Sequence, residues 1–402
     1  MKNNIFHTQD LCFAQTCDAL ESSAEMEIYM KVVIAIDSFK GSMTSMEAGN
    51  AAKKGILAAK PDAEVWLSPL ADGGEGTVDA LIEGLGAEKI PVTVAGPLGE
   101  KVSCYYGFLE ETKTAVMEMA SAAGITLVTK KDPLRASTYG VGEMIADALK
   151  RGCKNFMIGI GGSATNDGGI GMLKALGFEF FDKNGNDVGE GAAALAKIAE
   201  IRTEKKNPLL SGTKFQIACD VKNPLCGKQG ATYIFGPQKG VTEEQKEQVD
   251  EAMRHYADVT KESLGCDFAD CEGAGAAGGL GYAFLSYLAG ELIPGVELIL
   301  QATGLEEKMK NADVVVTGEG RLDAQTVMGK APAGVAALAK KYNAKVIAFA
   351  GSVAPEAKVC NRAGIDAFFP IVRGVTTLEE AMKKENAMEN IAATAEQVFR
   401  LL

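Results

Sequence analysis

Lys31-Val32-Val33-Ile34-Ala35-Ile36-Asp37-Ser38-Phe39-Lys40-Gly41-Ser42, followed by Thr44-Ser45-Met46-Glu47, is the stretch that decides the fold class. Its first six residues form a short β-branched apolar run without polar alternation, which predicts a strand buried on both faces. The small and polar residues 37–42 read as a turn. Thr44 and Glu47 then make a capping box that predicts a helix running to about Ala58. Strand, turn and helix in this order are the opening half of a βαβ unit. The pattern returns at Val65–Leu67, with a helix from Thr77. Apolar runs at Asn155–Ile160, Phe215–Ala218, Val314–Thr317 and Val346–Ala350 each precede a turn of small or polar residues. The chain reads as α/β with a mainly parallel sheet.

The interval 92–118 departs from this rhythm. Val92–Ala95, Val102–Phe108 and Thr114–Met117 follow one another with no room for helices, so an antiparallel patch is expected on a second unit. That unit is placed at 96–285, inserted into a discontinuous one made of 30–95 and 286–402. Residues 1–29 read as an unstructured extension, and 377–402 as a closing amphipathic helix. Gly273 to Gly290 is uncharged and long enough to span a membrane, but its five glycines before Tyr282 indicate a glycine loop opening into a buried helix.

Composition narrows the function. Forty-one Lys and Arg against 53 Asp and Glu leave a net charge of −12 in 402 residues, which argues against general affinity for nucleic acid or an anionic membrane. Any phosphorylated ligand must be held by a few placed cations and backbone N–H groups. Two histidines, His7 and His255, argue against a Ser-His-Asp hydrolase or a zinc site built from several imidazoles. Nine scattered cysteines without a Cys-x-x-Cys pair, and no secretory pattern in 1–29, suit a reducing, cytoplasmic protein. Either a monomer or a homodimer is compatible with this composition.

Four loops gather acidic, hydroxyl and glycine residues where strands end, the place at which open α/β sheets bind ligands. The first is Asp37–Ser42, where Lys40 can act as a point charge toward phosphate. The second, Asp72-Gly73-Gly74-Glu75-Gly76, offers two carboxylates to a divalent cation, although any tight turn favours the same residues. The third, Gly159-Ile160-Gly161-Gly162-Ser163-Ala164-Thr165-Asn166-Asp167-Gly168-Gly169, can wrap backbone amides round an anion. It also fits a loose dinucleotide fingerprint, as does Gly273–Gly278. The fourth, Thr317-Gly318-Glu319-Gly320-Arg321-Leu322-Asp323-Ala324-Gln325-Thr326 with Gly329-Lys330, places a guanidinium suited to bidentate capture of a carboxylate or phosphate among carboxylates. Neither a Walker loop nor the protein-kinase motif set is present.

Taken in order from Met30 to the C-terminus, these segments resemble the bacterial type I glycerate kinase family. Ala218–Leu225, Phe235-Gly236-Pro237-Gln238-Lys239-Gly240 and Gly273–Gly281 complete the match, and residues 1–29 are the departure from it. The resemblance implies two different α/β domains, flavodoxin-like and restriction-enzyme-like, facing a cleft, and ATP-dependent, Mg²⁺-assisted phosphorylation of D-glycerate, more readily to 2-phosphoglycerate than to 3-phosphoglycerate. On that basis the glycerate carboxylate is expected on Arg321, with Ser38, Asp323 and Gln325 nearby. ATP phosphates are expected on Lys40, Gly161, Gly162, Ser163, Thr165, Asn166, Lys239 and Lys330. Asp167 is the first candidate for the base that accepts the hydroxyl proton and Asp37 the second, while Asp72, Glu75, Asp220 and Glu319 are candidates for Mg²⁺. Two rivals stand beside this reading: a nicotinamide oxidoreductase resting on Gly159-x-Gly161-x-x-Ala164, and an organic-acid sensor module.

Overall fold

A computed structural model describes residues 29–71 and 77–402. The expected N-terminal extension, apart from Tyr29, and the loop carrying Asp72 and Glu75 lie outside the described residues. In chain order the strands are β1 Lys31–Ile36, β2 Glu64–Leu67, β3 Glu88–Ala95, β4 Lys101–Leu109, β5 Thr114–Glu118, β6 Asn155–Gly159 and β7 Glu179–Phe181. They continue with β8 Glu200–Arg202, β9 Lys214–Ala218, β10 Glu291–Ile293, β11 Val314–Leu322, β12 Lys345–Val353 and β13 Ala367–Pro370.

Five strands form one sheet in the order β2-β1-β11-β12-β13, all parallel. Successive residues of β1 leave by opposite faces, as a strand requires. Val32, Ile34 and Ile36 pack on the helices Ser45–Ala59 and Lys384–Phe399, while Val33 and Ala35 share a cluster with Val335, Ala336 and Leu81 on the other side. All but the first residue of β1 are buried, so the two-faced burial read from the β-branched run is what the structure shows. The capping box is formed as well: Glu47 N–H donates to Thr44 Oγ1 (3.2 Å) and Thr44 N–H to Glu47 Oε2 (2.9 Å).

The second sheet runs β3-β4-β5-β6-β9-β10. β3, β4 and β5 are antiparallel neighbours, and from β5 onward the pairing is parallel. Phe156, Ile158, Phe215 and Ile217 line one face against the helices Glu243–Leu264 and Leu280–Leu288, with Phe156 stacked on Phe215 at 4.7 Å between centroids. The other face sends Val116 into the cluster that holds Val33 and Leu81, so the two sheets share an apolar layer.

Four details differ from the sequence reading. β3 at 88–95 and β10 at 291–293 pair into the second sheet, so the sheets do not divide at 96 and 285. β3 is an edge strand, which is why Pro91 can stand inside it. The closing helix is two, Leu378–Met382 and Lys384–Phe399, separated at Lys383. The short antiparallel pair β7–β8 has no strong apolar alternation and was not anticipated. Among the described residues all seven cysteines are free thiols, and no helix is long and apolar enough to cross a membrane.

The helices Ser45–Ala59 and Lys384–Phe399 touch through Gly55, where an added Cβ would lie 1.9 Å from the Ala392 carbonyl oxygen. Gly55→Ala must therefore push the closing helix away. The expected loss is about 1–3 kcal/mol, read as a lower denaturant midpoint at unchanged m-value.

Candidate active site

In the first sheet the chain steps from β1 to β2 on one side and resumes with β11 on the other. The carboxyl ends of β1 and β11 thus flank the switch point where such sheets open a crevice. A cavity of about 720 Å³ lies there. Asp37 follows β1 directly, is 6 % exposed, and accepts the Ser38 N–H at 2.7 Å. The chain then closes a tight turn, with Ser42 N–H on Phe39 O (2.8 Å) and Gly41 at φ 77°, a conformation that glycine adopts without strain. This turn carries Lys40 to the cavity wall just ahead of the capped helix.

The expected fourth loop is largely strand. β11 stays paired with β12 through Leu322, so Glu319 and Arg321, two apart, share a face, and both line the cavity. Glu319 is 7 % exposed, takes Thr326 Oγ1–H at 2.6 Å, and lies 3.4 Å from Lys330 Nζ. Burial raises its carboxyl pKa, and Thr326 and Lys330 oppose that shift. Arg321 projects into solvent with Nε 3.7 Å from Asp323 Oδ2. Ser38, Asp323 and Lys330 also line the cavity. Gln325 does not: it is exposed, and its backbone N–H binds Asp323 Oδ1 at 2.8 Å. The opposite wall, which the sequence reading missed, is apolar and built from Phe39, Ile371, Leu378 and Met382. Its only sequence signal is the pair of apolar residues after the Thr377 cap.

A second cavity of about 260 Å³ lies at the carboxyl ends of β6 and β9. Gly161, Gly162 and Ser163 form one side, Asp220 another, and Phe235, Gln238 and Lys239 come from the helix Ala231–Lys239. Lys239 is 2 % exposed, and its Nζ donates to Thr165 O at 2.7 Å. Burial lowers its pKa to about 7, with the Asp167 charge acting the other way. Thr165 and Asn166 are wholly buried beneath the loop and do not line the cavity. Asn166 Nδ2 donates to Thr232 Oγ1 at 3.1 Å, while Asn166 Oδ1 and Thr165 Oγ1 have no hydrogen-bond partner among the described residues.

Asp167, the first candidate for the base, is set apart from both cavities. It has no exposed surface and lines neither cavity. Its Oδ2 accepts Thr138 N–H (2.8 Å), Thr138 Oγ1–H (2.8 Å) and Gly171 N–H (3.2 Å), and its Oδ1 accepts Gly169 N–H (3.1 Å). Burial pushes its pKa up and these hydrogen bonds pull it down. The carboxylate fills the start of the helix Ile170–Ala175, where a dinucleotide pyrophosphate would have to sit, and so removes the structural basis of the nicotinamide rival. The other fingerprint, Gly273–Gly278, packs beneath the same loop: Gly278 O receives the Gly168 N–H at 2.9 Å, and a Cβ at Gly278 would come 2.1 Å from Thr165 O.

Two hydrogen bonds hold helices of the shared apolar layer to strand ends of the second sheet. Val78 N–H, in the helix Thr77–Leu85, donates to Glu118 Oε1 at the end of β5 (3.1 Å). Gly295 N–H, opening the helix Gly295–Ala302, donates to Asp220 Oδ1 after β9 (2.9 Å). Lys40 and Arg321 line one cavity, while Lys239 and Asp220 line the other. Among the described residues no three His, Cys, Asp or Glu groups form a ready metal cage.

A model of the glycerate kinase family matches residues 32–402. The chain belongs to the glycerate kinase family. It is 47 % identical over 371 residues to the glycerate kinase of Halalkalibacterium halodurans, covering 90 % of this chain and 98 % of that one. To the glycerate 2-kinase of Escherichia coli K12 it is 45 % identical over 372 residues, covering 91 % and 98 %. A crystal structure described as “putative glycerate kinase 2 from Salmonella typhimurium LT2” superposes with a TM-score of 0.85 at 43 % identity, covering 92 % of this chain and 97 % of that one.

In this glycerate kinase family member the Asp167 carboxylate serves the framework. Asp167→Asn replaces an acceptor oxygen by a donor facing an N–H and is expected to cost about 1–3 kcal/mol, seen as a lower Tm. The KM values for acid and nucleotide should stay near those of the unsubstituted chain. Loss of turnover in a fully folded variant would return Asp167 to the chemistry.

Proposed function

We propose that the chain transfers the γ-phosphoryl group of ATP to the C2 hydroxyl of D-glycerate in the cytoplasm, with Mg²⁺ as cofactor. The observation that carries this reading is the meeting of Lys40, Arg321 and Lys330 with Asp37 and Glu319 in one cavity at the sheet's switch point, in a glycerate kinase family chain. The choice of C2 is supported by the relative named glycerate 2-kinase. The strand order, 2-1-3-4-5 counted within its own sheet, supports a flavodoxin-like first domain. The second domain is of the restriction-enzyme-like kind and is inserted after β2.

Phosphoryl transfer asks a protein mainly for positioning and charge stabilisation. Lys40, Arg321 and Lys330 supply positive charge at fixed strand ends. With Asp167 withdrawn, Asp37 is the carboxylate that accepts the proton of the attacking hydroxyl, being held by the Ser38 N–H at the cavity wall. Mg²⁺ takes oxygen ligands, often one or two carboxylates completed by water and phosphate. Glu319 and Asp323 beside the phosphate-binding cations fit that requirement, and the ion would neutralise charge on the phosphate oxygens.

Incubation with D-glycerate, ATP and Mg²⁺ followed by phosphorus NMR tests the reaction. The ester at C2 gives a doublet from its single neighbouring proton, whereas a C3 ester gives a triplet. A triplet moves the site of attack, and no ester at all ends the reading. Asp37→Asn is expected to lower kcat by about 10²–10⁴ while Mg-ATP still raises the Tm of the variant.

A further inference from the structure

The two cavities differ in size and in chemistry, and the difference assigns the ligands. The larger one, about 720 Å³, is lined by the apolar residues Phe39, Ile371, Leu378 and Met382 and by a charged set in which Lys40, Arg321 and Lys330 stand with Asp37, Glu319 and Asp323, cations for phosphate beside carboxylates for a divalent ion. That is the complement of a nucleotide, with a flat base at one end and a phosphate tail at the other, and its volume falls in the ~300–1,000 Å³ range of cavities for ligands of that size. The smaller one, about 260 Å³, has room only for a compact molecule.

The smaller cavity also contains a built anion receptor. Lys239 reaches its wall while 2 % exposed, and an ammonium carries three donors of which Thr165 O takes one. Among the described residues no carboxylate lies within ion-pair distance of its Nζ. A buried cation without a paired anion is unfavourable. Asp167 acts on it through its charge, and Asp220 lines the same cavity. Burial disfavours the charged form of the amine, and an anion beside it favours the ammonium. Ser163 and Gln238 on the same walls offer a hydroxyl and an amide to the hydroxyl groups of a small acid.

Resting on the glycerate kinase reading, we propose that Lys239 receives the carboxylate of the acid in the smaller cavity and that the nucleotide occupies the larger one, with Arg321 on its phosphates. This reverses the assignment suggested by the sequence, which put the acid on Arg321 and a phosphate on Lys239. Transfer under this assignment requires the phosphate tail and the acid hydroxyl to meet between the Asp37 and Asp220 strand ends.

Steady-state kinetics on the full chain tests the split. Lys239→Met is expected to raise the KM for D-glycerate by about thirtyfold or more with the KM for ATP little changed. Arg321→Ala should raise the KM for ATP and leave that for D-glycerate. Should Lys239→Met fail to fold, as judged by its thermal transition, Gln238→Ala keeps the lysine and should still raise the D-glycerate KM several-fold. The opposite pattern, with Arg321→Ala acting on D-glycerate and the Lys239 or Gln238 variant on ATP, overturns the split while leaving the kinase reading intact. So does an unchanged D-glycerate KM in a folded Lys239 or Gln238 variant. Absence of turnover in the unsubstituted chain overturns the kinase reading itself.

Discussion

One buried carboxylate organises the second half of the site. Asp167 collects four donors, two from Thr138 and one each from Gly169 and Gly171, and thereby fastens a turn 29 residues upstream to the loop that follows β6. A carboxylate can lie in an apolar interior only when its acceptor capacity is filled, and here every donor is fixed by backbone or by a neighbouring side chain. The loop so anchored presents Gly161 and Gly162 to the smaller cavity and the Thr165 carbonyl to Lys239. Removing the anchor would leave four donors unsatisfied and the amine without its support.

The sheets contribute unequally. The first provides cations and carboxylates on adjacent parallel strands. The second provides glycine backbone and one deeply placed amine. Glu118 and Asp220, at the ends of β5 and β9, accept N–H groups from the starts of two helices whose apolar residues lie in the layer shared by both sheets. Each carboxylate meets the positive end of a helix, so the same contact that satisfies the helix terminus also fixes the helix on the strand end.

Much of this was legible in the residues. The β-branched run of β1, the Thr44–Glu47 box and the antiparallel trio before Glu118 announced themselves through period and capping. Lys40, Glu319, Arg321 and Lys330 stood out as charged groups beside strand ends, and the structure gathers them. The burial of Asp167 was not legible because its partner Thr138 is remote in sequence. Thr317–Leu322 resembled a turn in composition, yet parallel pairing to β12 absorbed its glycines, with Gly318 needed where a Cβ would lie 2.2 Å from Phe349 O. The apolar wall went unseen because Ile371, Leu378 and Met382 join it only through tertiary packing. The start of the second sheet was misplaced because the edge strand β3 is polar at alternate positions and holds a proline.

The position of β1 bears on how the polypeptide comes off the ribosome. It lies between β2 and β11, and the strand pairing the second flank is made long after it: Lys31 N–H bonds the Asp313 carboxylate across 282 residues. Until that late segment emerges, one side of a very apolar strand has no hydrogen-bonding neighbour, a condition that invites association with other nascent chains. The six-stranded sheet, whose strands are contiguous in the sequence between 88 and 293, can complete itself first. The first strand made thus gains its second neighbour, β11, only after the whole second sheet has been synthesised, a non-local pairing of the kind that slows folding.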